Sequence, residues 1–216
     1  MEERGFRQPG SPKPLPGSPE PGGLQVLPGR YKLVMMYSGG SDSTFINVYD
    51  DPRIGNRDDI KLAQRKMYDR LRKSSEKLTT GMDQLAESEE LLTKMQSQLK
   101  GVEGKDADSL RKTTNKMQDE IKAIRELIIG KTSTAQGITR SPEQTVMTSL
   151  QTAQQSIGSK MVIPGPQVEA LVINAERAIK DIVAKINSFY SGKWSDYRLQ
   201  VEGTKLNLFK DYKQIE

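Results

Sequence analysis

Cysteine and histidine are both absent from the 216 residues of this chain. Without cysteine there are no disulfides and no thiolate chemistry, and without histidine the commonest general base and metal ligand is missing. A zinc site relies on these two residue types, so none is expected. The sequence therefore predicts no catalytic residue, no cofactor-binding residue and no metal ligand.

Long apolar runs and blocks of one charge are also missing. The longest apolar runs are only a few residues, so we expect no membrane span. The 33 basic and 28 acidic residues are interleaved and leave a net charge of +5. This pattern indicates a solvated helical surface and no nucleic-acid interface, because a nucleic-acid face concentrates its positive charge.

Residues 1–30 hold most of the proline of the chain and a third of its glycine. Proline precludes a helix and disfavours a central strand, so this segment is predicted to be an extended linker with polyproline character. Its first residues lack an apolar stretch, so no signal peptide is expected. The chain is then either cytoplasmic, with Met1 as its native start, or an internal piece of a longer chain.

Residues 31–54 predict a β-hairpin. The runs 31–37 and 44–49 alternate along their length and are rich in β-branched or aromatic residues, and a polar turn with two glycines separates them. A lone hairpin is only marginally stable in water. We therefore expect it to pack on the helices or on strands outside this chain.

Residues 56–216 predict a helical bundle with a long first helix. From Asp58 the spacing changes to a heptad in which leucine recurs at every seventh position: Leu71, Leu78, Leu85, Leu92 and Leu99. This 3.5-residue period is typical of a helix that packs lengthwise on its neighbours. Small residues such as Gly81 and Ser88 lie between the leucines and indicate the close approach of a partner helix.

Two more helices are predicted after a break at Gly101. Asp106 or Asp108 can cap a second helix that stops at Gly130. The run Ser141-Pro142-Glu143-Gln144 predicts the start of a third helix, with a serine cap and proline at the first helical position.

The last part of the chain predicts further helices with short connections. Pro166 opens one helix, a break is expected at Ser191-Gly192, and residues 195–214 form the last helix. The predicted fold is mainly α: an antiparallel, up-and-down bundle of four or five helices, preceded by the hairpin and the linker.

The six residues Ser38-Gly39-Gly40-Ser41-Asp42-Ser43 allow two interpretations. They are similar, letter for letter, to the phosphate-binding motif of the ATP pyrophosphatase (PP-loop) enzymes, which implies an ATP-using enzyme. That mechanism needs a helix directly after the loop, whose positive end faces the phosphates. Here a strand-like run and Pro52 follow, and no strand–helix alternation supplies a parallel sheet. The sequence favours a hairpin turn.

Asp50 and Asp51 are the remaining candidates for chemistry. Adjacent carboxylates in a strand point to opposite faces, so they are poorly placed to share one cation. Asp51 stands before Pro52, a position that favours the end of a strand and the start of a turn.

The order of these segments resembles the C-terminal region of large bacterial sortilin-like β-propeller proteins with BNR repeats, often labelled glycosyl-hydrolase-like. In that family a segment of the form PG-x-Y-x-V-x-L…V-x-x-DPR closes a small β-sandwich, and a helical region follows. The matching residues here are Pro28, Gly29, Tyr31, Val34, Val48, Asp51, Pro52 and Arg53. The resemblance covers residues 4–60 and implies a secreted or periplasmic location.

The leading hypothesis is therefore a non-catalytic C-terminal module of a larger secreted or periplasmic propeller protein. Its partner would be another protein or its own upstream propeller domain, with self-association through the hairpin. The alternatives are a PP-loop-type ATP-binding enzyme and a free-standing cytoplasmic helical adaptor.

Overall fold

The computed structural model of the chain describes residues 2–19, 21–53, 55, 57–131, 144–159 and 161–204. The predicted fold class is confirmed: a mainly helical protein with a hairpin before the helices. In chain order the elements are β1 (Glu2–Arg4), β2 (Gly22–Gln25), β3 (Gly29–Tyr37), β4 (Gly40–Val48), α1 (Asp58–Leu99), α2 (Lys105–Ile129), α3 (Val146–Gly158), α4 (Pro166–Phe189), a π-helical turn (Tyr190–Trp194) and α5 (Ser195–Gly203).

The heptad leucines of α1 form the central seam of the bundle. All five are completely buried, from Leu71 to Leu99. At about 1.5 Å per residue, the 42 residues of α1 extend for about 63 Å. The other helices pack along this rod and bury their own apolar stripes against it, so one continuous core runs through the bundle.

Gly81 explains how closely two helices approach each other. A Cβ atom at this position would lie 3.0 Å from Cδ1 of Ile186 on α4. Any larger residue would therefore push α4 away from α1. Ser88, one heptad later, donates or accepts a 2.9 Å hydrogen bond with the hydroxyl of Tyr190. Small residues on the seam thus mark the α1–α4 contact, as the sequence indicates.

Cross-helix contacts define the direction of each helix. Arg70 pairs with Glu169 near the start of α4, while Ser88 contacts Tyr190 just after its end, so α1 and α4 run in parallel. Gln96 of α1 instead contacts Gln118, and Glu89 pairs with Arg125, so α2 runs antiparallel to α1.

The strict up-and-down alternation is therefore not followed between α2 and α3. Because α3 is joined to α4 by a short loop and packs antiparallel to it, α3 runs in the same direction as α2. Tyr68 near the start of α1 donates to the carbonyl of Gln154 on α3. Thus α2 covers the second half of α1 and α3 covers the first half, and the long axis shows about three helices in cross-section.

The starts of two helices differ from the prediction. Gly104, not Asp106 or Asp108, is the N-cap residue of α2, and both aspartates lie in its first turn, where a negative charge is favourable beside the helix dipole. The third helix begins at Val146, capped by Thr145 in a reciprocal pair with Thr148. The predicted start at residues 141–143 lies outside the described residues, and Gln144 is not helical.

The predicted break at Ser191-Gly192 is also wrong. The helix continues through a π-helical turn at Tyr190–Trp194 directly into α5. Aromatic rings hold this turn: Trp194 packs against Phe189, Tyr190 and Tyr197 with centroid distances of 5.7 to 6.0 Å. Of the predicted last helix, residues 195–203 are helical, and residues 205–214 lie outside the described part.

The N-terminal segment is more than a linker. Its strands β1 and β2 pair antiparallel, and the stretch between them lies along α1. Arg7 pairs with Asp83, Lys13 Nζ lies 2.6 Å from Glu87 Oε1, and Pro9 is buried. Proline limits regular hydrogen bonding but not packing, which is why composition alone did not predict this contact.

Candidate functional site

The six residues Ser38–Ser43 lie at the tip of the hairpin formed by β3 and β4. The two strands pair over nine positions, from Gly29 opposite Val48 to Tyr37 opposite Gly40. The loop is therefore only the two residues Ser38 and Gly39, and the four residues after it belong to β4. The predicted six-residue turn is too long, because strand propensity depends strongly on the pairing strand and here β3 extends the ladder.

The hairpin exposes a large amount of apolar surface. Met36 is 84% exposed and Met35 is 66% exposed, and five more large apolar or aromatic side chains of this region lie open to solvent: Leu33, Val34, Tyr37, Phe45 and Tyr49. Soluble proteins rarely leave a contiguous apolar patch of this kind uncovered unless it is an interaction site. The hairpin is therefore the candidate functional site of the described part of the chain.

The hairpin is attached to the bundle through a small polar contact. Asp50, two residues after β4, pairs with Lys61 in the first turns of α1. Within the part of the chain that the structure describes, β3 and β4 form a sheet of two strands and pair only with each other. The hairpin thus projects from the bundle instead of completing its core.

The phosphate-loop hypothesis can be compared with this geometry. The next helix after the motif, α1, begins at Asp58, fifteen residues beyond Ser43. Its N-terminus does not follow the loop, so the backbone N–H groups and the helix dipole that bind phosphate in such loops are not combined here. Asp42 accepts a 2.7 Å hydrogen bond from the N–H of Ser43 and adds a negative charge at the tip, which repels phosphate.

We expect no binding of Mg-ATP in isothermal titration calorimetry, for these geometric reasons. Micromolar affinity that disappears in Asp42→Ala or Gly40→Val would overturn this expectation and return the motif to a nucleotide-binding role. Affinity that both variants retain would point to a nucleotide site elsewhere in the chain.

Asp50 and Asp51 are both engaged in ion pairs. Asp50 faces Lys61, and Asp51 accepts from the guanidinium and the N–H of Arg53. These two hydrogen bonds lower the pKa of Asp51, and the carboxylate in turn raises the pKa of Arg53. The pair closes the Asp-Pro-Arg turn between hairpin and bundle. Among the described residues no group of three or more acidic side chains could hold a metal ion.

The largest groove lies on the bundle, between α3, α4 and the end of α2. It encloses about 880 Å³, and its polar lining consists mainly of hydroxyl and amide side chains, including Thr148, Thr152, Gln155 and Asn174. Asp181 and Lys185 are its charged members. No residue of this lining has a shifted pKa that would indicate a general acid or base, so the groove carries no catalytic assignment.

Ionisable groups with shifted pKa values act in bundle packing. Arg70 binds Glu176 and Glu169 at N–O distances of 2.6 to 3.1 Å, which raises its pKa. Burial raises the pKa of Tyr68, Tyr190 and Tyr197, whose hydroxyls bond across helix contacts. These groups link neighbouring helices and do not converge on one cavity.

Comparisons with known proteins leave the site to be argued from its own geometry. No protein-family model, no curated protein and no solved structure matches this chain. Among the residues that the structure describes, no helix has the length and apolar character needed to cross a membrane.

Proposed function

We propose that this chain is a non-catalytic structural and interaction module, in which a rigid helical bundle presents a projecting β-hairpin to another protein domain. The observation that carries the proposal is the exposed apolar hairpin, led by Met35 and Met36. A hairpin that served only to connect two segments would gain nothing from apolar side chains in water. Such side chains lower the free energy when a partner covers them.

The attachment of the hairpin supports the same role. Lys61 holds Asp50, and the Asp51–Arg53 pair closes the turn that leads into α1. The bundle buries its own core without using β3 or β4. Hence the hairpin is free to engage a partner while the bundle remains folded.

We further propose that the module belongs to a larger secreted or periplasmic propeller protein. The support is the resemblance carried by Pro28, Tyr31 and the Asp51-Pro52-Arg53 turn, together with a hairpin that lacks neighbouring strands in its own sheet. Coding sequence for propeller repeats, continuous with and upstream of the Met1 codon, is the expected result of reading the source gene. An upstream stop codon with a ribosome-binding site at Met1 would contradict it.

Replacing residues 29–48 with a short Gly-Ser loop tests the interaction role. The ends are adjacent because Gly29 pairs with Val48, so a short loop can join them. We expect the free energy of unfolding of the bundle to change by only about 0.5 kcal/mol, as for surface changes generally. Urea unfolding followed by circular dichroism at a helical wavelength measures it.

The matched control removes residues 2–19, which contact α1 through Arg7 and the buried Pro9. This deletion exposes the side of α1 around Met82 and should cost about 1–3 kcal/mol. A hairpin replacement as costly as this control would show that the hairpin is part of the bundle core, and the interaction role would lose its basis.

A further inference from the structure

The two strands of the hairpin differ in chemistry. From Leu33 to Tyr37, β3 is apolar on both faces and carries no charge, whereas the opposite residues of β4, from Gly40 to Thr44, are small or polar. A strand that is apolar on both faces is typical of the middle of a sheet, and a polar strand is typical of its edge. The sequence of β3 is thus that of a central strand, although β3 lies at an edge.

The backbone of β3 has donors and acceptors directed outward. A two-residue loop makes Tyr37 and Gly40 a hydrogen-bonded pair, so the odd-numbered residues of β3 bond to β4. The N–H and C=O groups of the even-numbered residues, including Val34 and Met36, therefore point away from β4. Neither proline nor charge protects this edge between residues 33 and 37, so it can accept another strand.

The outer edge of β4 is protected. Ser43 lies opposite Val34, and its outward N–H already donates to the Asp42 carboxylate at 2.7 Å. A charged carboxylate that also occupies an edge donor is a device by which sheets avoid further pairing. The open edge of the hairpin is consequently β3.

We infer that β3 is the docking edge for a second copy of this chain, whose β3 pairs with it antiparallel; this inference rests on the proposed interaction role of the hairpin. In a two-fold arrangement centred on Met35, residues 33–37 of the two copies face each other and all ten side chains are uncharged. Lys32 of one copy then lies opposite Ser38 of the other.

Charge favours this arrangement over the parallel one. In the antiparallel pair the two Lys32 residues are six positions apart, about 20 Å along the strands, which is beyond the screening length of about 8 Å at physiological salt. Parallel pairing would place like charges at Lys32 and Arg30 side by side, which is destabilising. Arg30 is also held over the ring of Phe45 at 4.2 Å, away from the open edge.

Sedimentation velocity of the full chain, from micromolar to submillimolar concentration, tests the inference. We expect a monomer–dimer equilibrium. Val34→Pro removes an outward donor of β3 without removing a bond to β4, and should weaken dimerisation at least about tenfold. Ser43→Pro, the matched change on the β4 edge, should leave the dimer Kd within about twofold.

Val34→Lys and Ser43→Lys form a second pair that keeps every backbone donor, and circular dichroism verifies that each variant folds. The same order, with loss only in Val34→Lys, supports the β3 edge, since a lysine there charges that edge. Loss of the dimer in the Ser43 variants but not the Val34 variants would overturn the assignment to β3.

Amide exchange at Val34 and Met36 separates the two proposals if the chain remains monomeric. Rapid exchange in a monomer would overturn the second copy as occupant but leave the edge open for another protein, so the interaction role would stand. Slow exchange in a monomer would mean that the chain covers its own edge, and both proposals would fail.

Discussion

Leu85→Ala should lower the free energy of unfolding by about 2–5 kcal/mol, the range found when a buried leucine is truncated. Leu85 is fully buried at the middle of α1, so its loss removes apolar contacts and leaves a cavity that the surrounding helices fill only in part. For a chain of this size each kcal/mol corresponds to about 2–4 °C in Tm. Thermal and urea unfolding measure the change.

Leu91→Ala is the matched control, on the same helix and with the same atoms removed. Leu91 is 49% exposed, and we expect a change of only about 0.5 kcal/mol. Equal losses at the two positions would contradict the heptad seam as the core. A loss at Leu91 alone would mean that α1 is rotated and presents its other face to the bundle.

Gly81→Val should destabilise the bundle by about 1–3 kcal/mol, because it overpacks a closely packed contact. The new Cβ would approach Ile186 Cδ1 at 3.0 Å, and the valine methyls extend further toward α4. The gain in helix propensity over glycine is smaller than this cost. The measurement is again the free energy of unfolding in urea.

Two further variants identify the cause. Gly192→Val makes the same change where nothing lies within 4 Å of the added Cβ, so the stability should remain unchanged or rise by a few tenths of a kcal/mol. Ile186→Val removes the nearest atom, so in combination with Gly81→Val it should cost less than the sum of the single changes. Strict additivity would show that the α1–α4 contact is not what excludes a side chain at Gly81.

Much of the helical fold could be predicted because its signals are periodic or local. The leucine heptad from Leu71 to Leu99 predicted the central seam, Pro166 predicted the first residue of α4, and Gly130 predicted the end of α2. A single residue that breaks or starts a helix acts through its own backbone, so its effect is readable without knowing its neighbours. Each of these features is present in the structure.

The features that were not predicted depend on residues far apart in the chain. The Pro-rich segment packs along α1 because Arg7 meets Asp83, seventy-six residues later. Gly192 does not break the last helix, because the rings of Phe189, Tyr190, Trp194 and Tyr197 pack together around the π-helical turn. Local propensity is overridden in these places by contacts that form only when the chain is folded.

The candidate site shows the same division. Alternating apolar residues predicted the hairpin, and the polar tip argued against a phosphate loop. The sequence did not indicate how short the loop is, nor that Asp42 occupies the Ser43 donor and so leaves β3 as the open edge. Edge identity follows from register, and register is decided by pairing between strands.

By itself the sequence determined that the chain is a helical bundle preceded by a hairpin, because apolar periodicity dictates which face of each segment must leave water. The tertiary structure alone decided that α3 follows the direction of α2, that α4 approaches α1 at Gly81, and that the hairpin remains uncovered. These properties depend on how buried faces match each other in space, and periodicity specifies that a face is buried without specifying against which neighbour.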